Sequence, residues 1–360
     1  MFFTKLHNRV DRNLRKAPLM TSIQPVPTLN DVAKAAGVSP ATVSRALNSP
    51  ALVSQTTLTR VKAAVDELGY TPNFGARFMA AKRTMTIGAI IPTMENAIFA
   101  RGIQAFQEQL HSLGYTLLVS SSSYDPDIEE EQIRTLASRG ADGILLIGYR
   151  RDERTYDFLR RRNIPFLLAW AFAANNSLPA VGFDNRASMY RLCNEVLGLG
   201  HRKFGIISGI VDGNDRAANR LKGIVERLKI EGIDVDNVPI IETSYEIENG
   251  ARAFEQLMEG DDKPTVVMCG NDVLAVGAIQ CATEMGLSVP EDVSVTGFDG
   301  IEIANIVTPK LATVHVPHAE MGRRAADELV SMVEQSTKGT SFELHSHVRL
   351  EASLGHPRNN

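Results

Sequence analysis

Residues 28–48 read TLNDVAKAAGVSPATVSRALN, and this spacing predicts two short helices joined by a tight turn. Thr28 is a good N-cap for the first helix, and Asp31, three residues later, completes a variant of the capping box. Gly37 ends that helix and supplies the permissive backbone that the turn needs. Ser39 then caps the second helix. Two helices with this spacing are typical of the helix-turn-helix.

A third helix is predicted from about Gln55 to Leu68, where it closes a small core. Its apolar residues at helical spacing are Leu58, Val61, Val65 and Leu68. In the first two helices, Ala33 is small enough for a close crossing and Val43 falls on the inner face. An ordinary helical hairpin with a polar face is the alternative, but the caps, the glycine and the apolar spacing all agree with the helix-turn-helix.

The outer face of the second helix is the candidate DNA-reading surface, because the N-terminal residues of this helix meet base edges in the major groove. The residues left for this face are Ser39, Pro40, Ala41, Thr42, Ser44 and Arg45. Thr42 and Ser44 can bond phosphate or base. Arg45 is the best candidate for a bidentate contact to guanine.

The charge distribution supports a polyanion-binding head. The whole chain has a net charge of −4, but residues 1–85 carry twelve Lys and Arg against four Asp and Glu. A basic head on an acidic body fits a nucleic-acid-binding module, with a solvated basic surface as the alternative. Residues 1–27 are basic and interrupted by prolines, so we interpret them as a disordered extension. An early start codon, with Met20 as the true first residue, is the alternative for this segment.

Residues 73–85 form the predicted hinge segment. The stretch from Phe74 to Ala81 has helical propensity but is shorter than the ~12–15 residues that an isolated helix needs in water, so it would form only when packed. Met79 is apolar among basic neighbours, which suits insertion into the minor groove of DNA. A plain interdomain linker is an equal alternative.

Length and composition indicate a multidomain globular chain, because 360 residues exceed one ordinary core. No apolar run reaches the ~18–20 residues of a membrane span, and no apolar segment of a signal peptide follows Met1. The three cysteines are far apart and odd in number, as in a cytosolic protein with reduced thiols. We therefore expect a cytoplasmic protein with no membrane partner.

Residues 86–360 alternate apolar runs with amphipathic stretches, which predicts parallel sheets covered by helices on both faces. Strands are predicted at 86–91, 116–120, 143–147, 165–169, 204–208, 265–269 and 293–297. Helices are predicted at 97–113, 128–138, 187–199, 217–230, 250–258, 273–285 and 319–335. About ten such units exceed what one sheet accommodates, so two lobes are expected. The fold class is therefore an all-α helix-turn-helix head, residues 28–72, followed by an α/β body.

The stretch from Thr28 to Asn48 resembles the lactose-repressor (LacI/GalR) family. Matching motifs in and after the head are Val53-Ser54, Leu68-Gly69-Tyr70 and Pro72-Asn73. Matching motifs in the body are Asn96-Ala-Ile-Phe99, Val181-Gly-Phe-Asp-Asn185, Gly200-His-Arg202, Gly270-Asn-Asp272 and Gly297-Phe-Asp-Gly300. The resemblance covers the whole chain except residues 1–27.

This resemblance implies a homodimer on double-stranded DNA, bound to a pseudo-palindromic operator with paired hinge helices in the central minor groove. The residues that complete the expected DNA contacts are Thr28, Asn48, Asn73, Ala76, Arg77 and Met79. The family usually has Leu as the minor-groove wedge, where this sequence has the flexible and apolar Met79. The resemblance also implies two doubly wound lobes of periplasmic-binding-protein type, joined by three crossovers, with a ligand in the cleft.

The candidate ligand site lies beyond the carboxyl ends of strands, where ligands of such sheets bind. Arg220, in the Arg-x-x-Gly pattern that ends at Gly223, matches the effector-binding arginine of the family, and its planar fork suits vicinal hydroxyls or a carboxylate. Asn271 and Asp299 each follow a predicted strand and can bond hydroxyl groups. Together these groups fit a sugar or sugar acid. The alternatives are a surface salt bridge for Arg220, an N-cap for Asn271 and a turn for Asp299.

Aromatic side chains complete the candidate site. Trp170 ends a predicted strand and can stack on a sugar face, while Phe99 and Tyr245 occupy cleft-wall positions in the family. Without the resemblance, each of these aromatics would more often be a core residue. The weaker candidates are Asp184 and His318. Arg216 lies one helical turn before Arg220 and hints at an anionic effector, with a solvated charge as the alternative.

No enzyme motif is present in the sequence: we find no Walker loop, nucleophile elbow or catalytic constellation. The histidine pairs His315/His318 and His345/His347 lack a third ligand at suitable spacing, so no metal or cofactor is expected. A sugar-transport protein would need a signal peptide, and a sugar-modifying α/β enzyme would need a catalytic constellation. The sequence therefore predicts a non-enzymatic, ligand-responsive repressor. Without a leucine-heptad tail, a homodimer is expected rather than a tail-assembled tetramer.

Overall fold

The computed structural model describes residues 26–71, 83–95 and 97–358. The chain divides into two compact units between Lys82 and Arg83, a helical head and an α/β body. No helix within the described ranges is both long and apolar enough to cross a membrane.

The described part of the head, residues 26–71, contains three α-helices in the predicted order. They are α1 (Leu29–Ala36), α2 (Pro40–Asn48) and α3 (Gln55–Leu68), with a 3-10 turn at Pro50–Leu52. The capping box is formed: the Asp31 carboxylate accepts the Thr28 N–H at 2.8 Å, and Thr28 Oγ1 accepts the Asp31 N–H at 3.4 Å. Gly37 takes the left-handed conformation, with φ of 62°. Local capping and turn chemistry therefore set the helix boundaries.

A small apolar core holds the three helices of the head together. Val32, Val43 and Val61, one from each helix, are fully buried. The remaining buried members are Ala33, Ala36, Ala46, Ala64 and Tyr70. The guanidinium of Arg60 on α3 also donates to the Gly37 carbonyl at 3.2 Å, which ties α3 to the turn between α1 and α2.

The body contains two six-stranded sheets within the described residues. The strands of the first are β1 (Thr86–Ile91), β2 (Thr116–Ser121), β3 (Gly143–Ile147), β4 (Phe166–Ala169), β5 (Ala180–Gly182) and β11 (Phe342–Glu343). Those of the second are β6 (Phe204–Gly209), β7 (Ile240–Thr243), β8 (Val266–Cys269), β9 (Ser294–Asp299), β10 (Ala312–His315) and β12 (His347–Arg349). The orders are β11-β5-β4-β3-β1-β2 and β12-β10-β9-β8-β6-β7. All pairs are parallel except β10 with β12, which is antiparallel.

Helices cover both sheets, so the two lobes are doubly wound as predicted. They are α4 (Ala97–Ser112), α5 (Pro126–Ser138), α6 (Glu153–Arg161), α7 (Asn185–Gly198), α8 (Asp215–Ile230), α9 (Ile247–Leu257), α10 (Asp272–Glu284), α11 (Ile303–Ile306) and α12 (His318–Gln335). The helix pairs that pack most extensively are α4 with α12 in the first lobe, and α7 with α8 and α9 with α10 in the second. Central strands such as β1 and β3 are buried along their whole length, which explains their uninterrupted apolar sequences.

The chain passes between the lobes three times, in agreement with the resemblance. It leaves the first sheet after β5 and returns to the first lobe after β10, where α12 packs against α4. It crosses again between β11 and β12. The carboxyl ends of the inner strands therefore face a cleft between the lobes, which is where the candidate ligand residues were expected.

Candidate DNA-reading helix and interlobe cavity

The outer face of α2 is polar and largely exposed. Its exposed residues are Ser39, Pro40, Ala41, Arg45 and Asn48, and Thr42 and Ser44 are half-buried. Ser39 Oγ accepts the Thr42 N–H at 3.2 Å, so this hydroxyl serves as the helix cap. Within the described part of the chain, we find no hydrogen-bond partner for the Arg45 guanidinium, and its donors remain available.

The other residues expected at DNA differ in how far the structure describes them. Thr28 is exposed at the start of α1, and Asn48 donates to Ser44 Oγ at 3.3 Å at the end of α2. Four further candidates lie outside the described residues: Asn73, Ala76, Arg77 and Met79. The same holds for the basic extension up to residue 25. The expectation of a minor-groove wedge at Met79 therefore stays a prediction.

A small cavity of about 10 Å³ lies between the two lobes of the body. This volume holds roughly one water molecule. Five of the eight predicted ligand residues line it: Phe99, Trp170, Arg220, Tyr245 and Asp299. The other lining residues are Ile98, Tyr124, Phe183, Asn185, Asn214 and Arg216. The structure thus brings together side chains that are up to 200 residues apart in the sequence.

Arg220 is the central cation of the cavity and is only 6% exposed. Its Nη2 donates to the Tyr245 hydroxyl at 2.8 Å, and its Nη1 donates to Asn185 Oδ1 at 3.4 Å. Its guanidinium carbon lies 4.8 Å from the centroid of the Phe298 ring. Arg220 Nε is buried without a partner in the described structure. A surface salt bridge, the alternative for this residue, does not fit such burial.

Asp299 is the carboxylate of the cavity and is 1% exposed. It ends β9 with φ of 105°, an unusual conformation for a residue with a side chain. Its Oδ1 lies 4.0 Å from Arg220 Nη1, and its Oδ2 has no hydrogen-bond partner among the described residues. Burial raises the pKa of Asp299 to about 7, although Arg220 and Arg216 oppose this rise.

The raised pKa of Asp299 predicts that the stability of the body falls as the pH rises from about 4 to about 7. Folded Asp299 keeps a proton that the unfolded chain has already released in this range, so the folded state binds more protons. Burial raises the pKa of Asp272 as well, which adds a fall in the same direction. Urea unfolding at pH 5 and at pH 8 measures this change. Between these two pH values, Asp299→Asn should lose less unfolding free energy than the wild type loses. An equal loss in both proteins would contradict this assignment.

Trp170 and His318 form the wall next to Asp299. Trp170 Nε1 donates to His318 Nδ1 at 3.3 Å, and His318 Nε2 donates to the Asp299 carbonyl at 3.1 Å. The Trp170 ring also meets Phe99 edge-on, with 5.3 Å between the centroids. Burial lowers the pKa of His318 to about 4, so this imidazole is neutral at pH 7. His318 lies behind the cavity lining, where it orients Trp170.

Asn271 and Asp184 are helix caps and do not line the cavity. Asn271 Oδ1 accepts the Leu274 N–H at 2.9 Å at the start of α10, which was the alternative for this residue. Its Nδ2 is buried without a described partner. Asp184 Oδ1 accepts the Ala187 N–H at 2.9 Å at the start of α7. Its neighbour Asn185, the first residue of α7, lines the cavity instead.

Sequence reasoning missed three polar lining residues. Asn185 ends the Val181–Asn185 stretch that resembles the family, and it follows directly after Asp184, the residue predicted to bind ligand. Tyr124 lies in a turn with φ of 62°, and its ring is 6.1 Å from that of Tyr245 on the other lobe. Asn214 is the N-cap of α8, and a polar residue just before Arg216 was the available signal.

Among the described residues, no group of three or more His, Cys, Asp or Glu side chains is placed to hold a metal ion. The His315 and His347 rings lie side by side on β10 and β12, with 4.9 Å between centroids. The lining of the cavity between the lobes is polar and aromatic.

Comparison with known proteins identifies the class to which both units belong. Residues 28–73 match the model of the bacterial regulatory proteins of the lacI family, and residues 194–352 match the periplasmic binding protein-like domain. The chain is 33% identical over 321 residues to the HTH-type transcriptional repressor PurR of Klebsiella pneumoniae, covering 88% of this chain and 94% of PurR. It is 31% identical over 315 residues to catabolite control protein A of Priestia megaterium, covering 88% and 95%.

Solved structures agree with these relatives. A transcriptional regulator of the LacI family from Silicibacter pomeroyi superposes with a TM-score of 0.84 at 26% identity, covering 91% of this chain and 99% of that one. The transcriptional regulator CelR in complex with cellobiose gives a TM-score of 0.68 at 26% identity, with the same coverage. The chain therefore belongs to the LacI family of DNA-binding transcription regulators, a family of regulators and not of enzymes.

Proposed function

We propose that this chain is a transcriptional repressor that binds a pseudo-palindromic operator as a homodimer, and that a carbohydrate-like effector in the interlobe cavity sets its operator affinity. In this proposal, residues 1–27 are an extension, residues 28–72 the DNA-binding domain, residues 73–85 the hinge, and residues 86–360 the effector-binding and dimerisation domain. The observation that carries it is the buried cavity, where Arg220, Asp299 and Tyr245 meet beside Trp170.

The chemistry of this cavity supports a sugar or sugar acid as effector. The Arg220 fork can donate to two neighbouring hydroxyls, and Asp299 can accept from others. Trp170 and Phe99 offer apolar surface for the face of a sugar ring. The transcriptional regulator CelR, whose structure resembles that of this chain, has been solved in complex with cellobiose, a sugar.

The small size of the cavity supports a two-state mechanism. Sites for small ligands usually enclose about 300–1,000 Å³, so the lobes must move apart before an effector enters. Contacts across the lobes hold the closed form, including the Tyr149 N–H donated to the Asp215 carboxylate at 2.7 Å and an ion pair of Arg101 with Glu302. An effector that prefers one lobe arrangement shifts the population of the two states, and with it the spacing of the hinge segments.

Arg45→Ala should weaken binding to the specific operator by about 1–3 kcal/mol, because Arg45 is exposed on α2 with its donors free to bond guanine. The operator is first selected from a random double-stranded DNA library with the wild-type chain. Gel-shift titrations at several salt concentrations then measure the affinity for the selected site and for its single-base variants.

Lys62→Ala is the matched control, because it removes the same charge from an exposed site on α3. It should leave the preference among single-base variants unchanged. If the wild type forms no salt-sensitive and sequence-preferring complex, the repressor proposal is wrong. If Arg45→Ala keeps the full preference at every base pair, Arg45 does not read the operator.

A further inference from the structure

Arg216 is a second guanidinium in the cavity, which the sequence left open as a solvated charge. The structure shows it 7% exposed, on α8 one turn before Arg220. Within the described residues, its one hydrogen bond is from Nη1 to Asp215 Oδ1, at 3.3 Å. The other oxygen of Asp215 accepts the Tyr149 N–H at 2.7 Å. A buried arginine is thus held by a single long contact to a carboxylate that is shared with the other lobe.

The residue opposite this guanidinium is a glycine, Gly148, whose lack of a side chain leaves space for it. Gly148 follows β3 with φ of 73°, and a Cβ there would collide with Arg216 Nη1 and with the Asp215 carboxylate. The guanidinium therefore packs against bare backbone of the opposite lobe, at the edge of the cavity. Surface arginines need no such accommodation, so this placement points to a role inside the cleft.

The cavity lining contains two guanidinium groups, Arg216 and Arg220, and one carboxylate, Asp299, while the Asp215 carboxylate outside this lining pairs with Arg216. Arg220 Nε and Asp299 Oδ2 are buried without partners in the described structure. We propose that the effector is a small polyhydroxy carboxylate, a sugar acid, whose carboxylate binds Arg216 while its hydroxyls bind Arg220 and Asp299. This assignment rests on the proposed function, in which a carbohydrate-like effector occupies this cavity.

A carboxylate fits Arg216 better than other groups do. It offers two oxygens to the planar fork of Arg216, whose other donors make no hydrogen bond within the described residues. A neutral sugar of the same shape leaves Arg216 with only its contact to Asp215, and a site built for an ionic partner discriminates strongly against an analogue that lacks it. A phosphate dianion brings a second negative charge close to the Asp215 carboxylate, which repels it.

Calorimetric titration and thermal shift of the full chain test this assignment. The probes are D-gluconate, D-glucuronate and D-galacturonate, the neutral D-glucose and D-galactose, and D-glucose 6-phosphate. We expect at least one acid to bind at least about tenfold more tightly than its neutral counterpart, the size of one charge-assisted hydrogen bond. Arg216→Gln should weaken the binding of that acid by about tenfold or more without weakening the binding of the neutral sugar. Arg216→Lys keeps the charge but not the planar fork. Its affinity for the acid should lie between that of the wild type and that of Arg216→Gln.

Lys222→Gln is the matched control, because it removes an exposed charge from the same helix. It should bind the acid as the wild type does. Three results would each overturn the assignment. They are tighter binding of a neutral sugar or of the phosphate, no binding of any acid, and an unchanged preference for acid over neutral sugar in both Arg216 variants. An operator complex that responds to a neutral sugar would keep the proposed function while refuting the acid. Acid binding without any operator complex would refute the proposed function instead.

Discussion

Arg220→Ala should abolish the response of the operator complex to effector, with a loss of effector affinity of about 100-fold or more. Arg220 is the buried cation that joins Tyr245, Asn185 and Asp299. Its removal takes away the donors for the effector and leaves Asp299 buried without its neighbouring cation. Each hydrogen bond that Arg220 donates to the effector is worth about 1.5–3 kcal/mol, so the loss of two such bonds accounts for a 100-fold loss of affinity. Since α2 belongs to the separate head, operator affinity without effector should stay close to that of the wild type.

Gel-shift titration of the operator complex against effector measures this response. Arg186→Ala is the matched control, because Arg186 is an exposed arginine that pairs with Glu226 outside the cavity. It should respond to effector as the wild type does. Arg220→Lys, which keeps a charge without the planar fork, should recover little of the response. Loss of operator binding in Arg220→Ala, with the head still folded, would show that Arg220 is structural.

Gly322→Ala should destabilise the body by about 2–3 kcal/mol, because α12 packs against α4 with no room for a side chain. A Cβ at position 322 would collide with the Gly102 carbonyl and lie 2.9 Å from the Phe106 nitrogen. Both obstacles are backbone atoms, so a side-chain rotation cannot relieve the clash. The two helices must separate, and a Cβ on Gly102 itself would collide with the ring of Trp170. The wall of the cavity therefore depends on this close approach.

Urea unfolding followed by circular dichroism gives the free energy of unfolding of each variant. Gly198→Ala is the control, because Gly198 is also a helical glycine but a Cβ there meets nothing within 4 Å. That change should leave stability unchanged or raise it by up to about 1 kcal/mol, as alanine favours the helix. Equal stability of Gly322→Ala and Gly198→Ala would mean that α4 and α12 can move apart at little cost in free energy.

The head was predicted almost residue by residue, because its structure depends on local chemistry. Each helix boundary is marked by a residue at the boundary itself. These residues are the cap at Thr28, the left-handed Gly37 and the cap at Ser39. The seven strands predicted for the body are also all present. Their long apolar runs mark strands that are buried on both faces, and such strands are recognisable without knowing their neighbours.

The elements that sequence reasoning missed are mostly short or edge elements. They are β5, β7, β10, β11, β12, α6 and α11. Strands of two to four residues carry too few positions for a period to show, and they exist because a neighbouring strand supplies hydrogen bonds. The antiparallel pairing of β12 with β10 depends on where the third crossover delivers the chain, which no local pattern encodes.

Some of the candidate ligand residues line the cavity and others do not, and the difference has a physical origin. Arg220 and Asp299, to which family motifs and strand ends point, line the cavity, and their role in ligand binding stays a prediction. Asp184 and Asn271 instead cap helices, a role that a polar residue after a strand fills equally well. The exact start of α7 decides whether Asp184 or its neighbour Asn185 faces the cleft. Sequence patterns locate helix starts only to within a few residues.

If an effector binds between the lobes as proposed, the small volume of the cavity affects the timing of the response. The space holds about one water molecule, so in this proposal effector entry waits until the lobes have parted. The rate of association then stops rising with effector concentration once opening becomes the slow step. The apparent affinity is also lowered by the fraction of time that the cleft is open. A substitution far from the ligand that weakens the lobe-to-lobe contacts would make such a regulator faster and more sensitive, with no change in what it recognises.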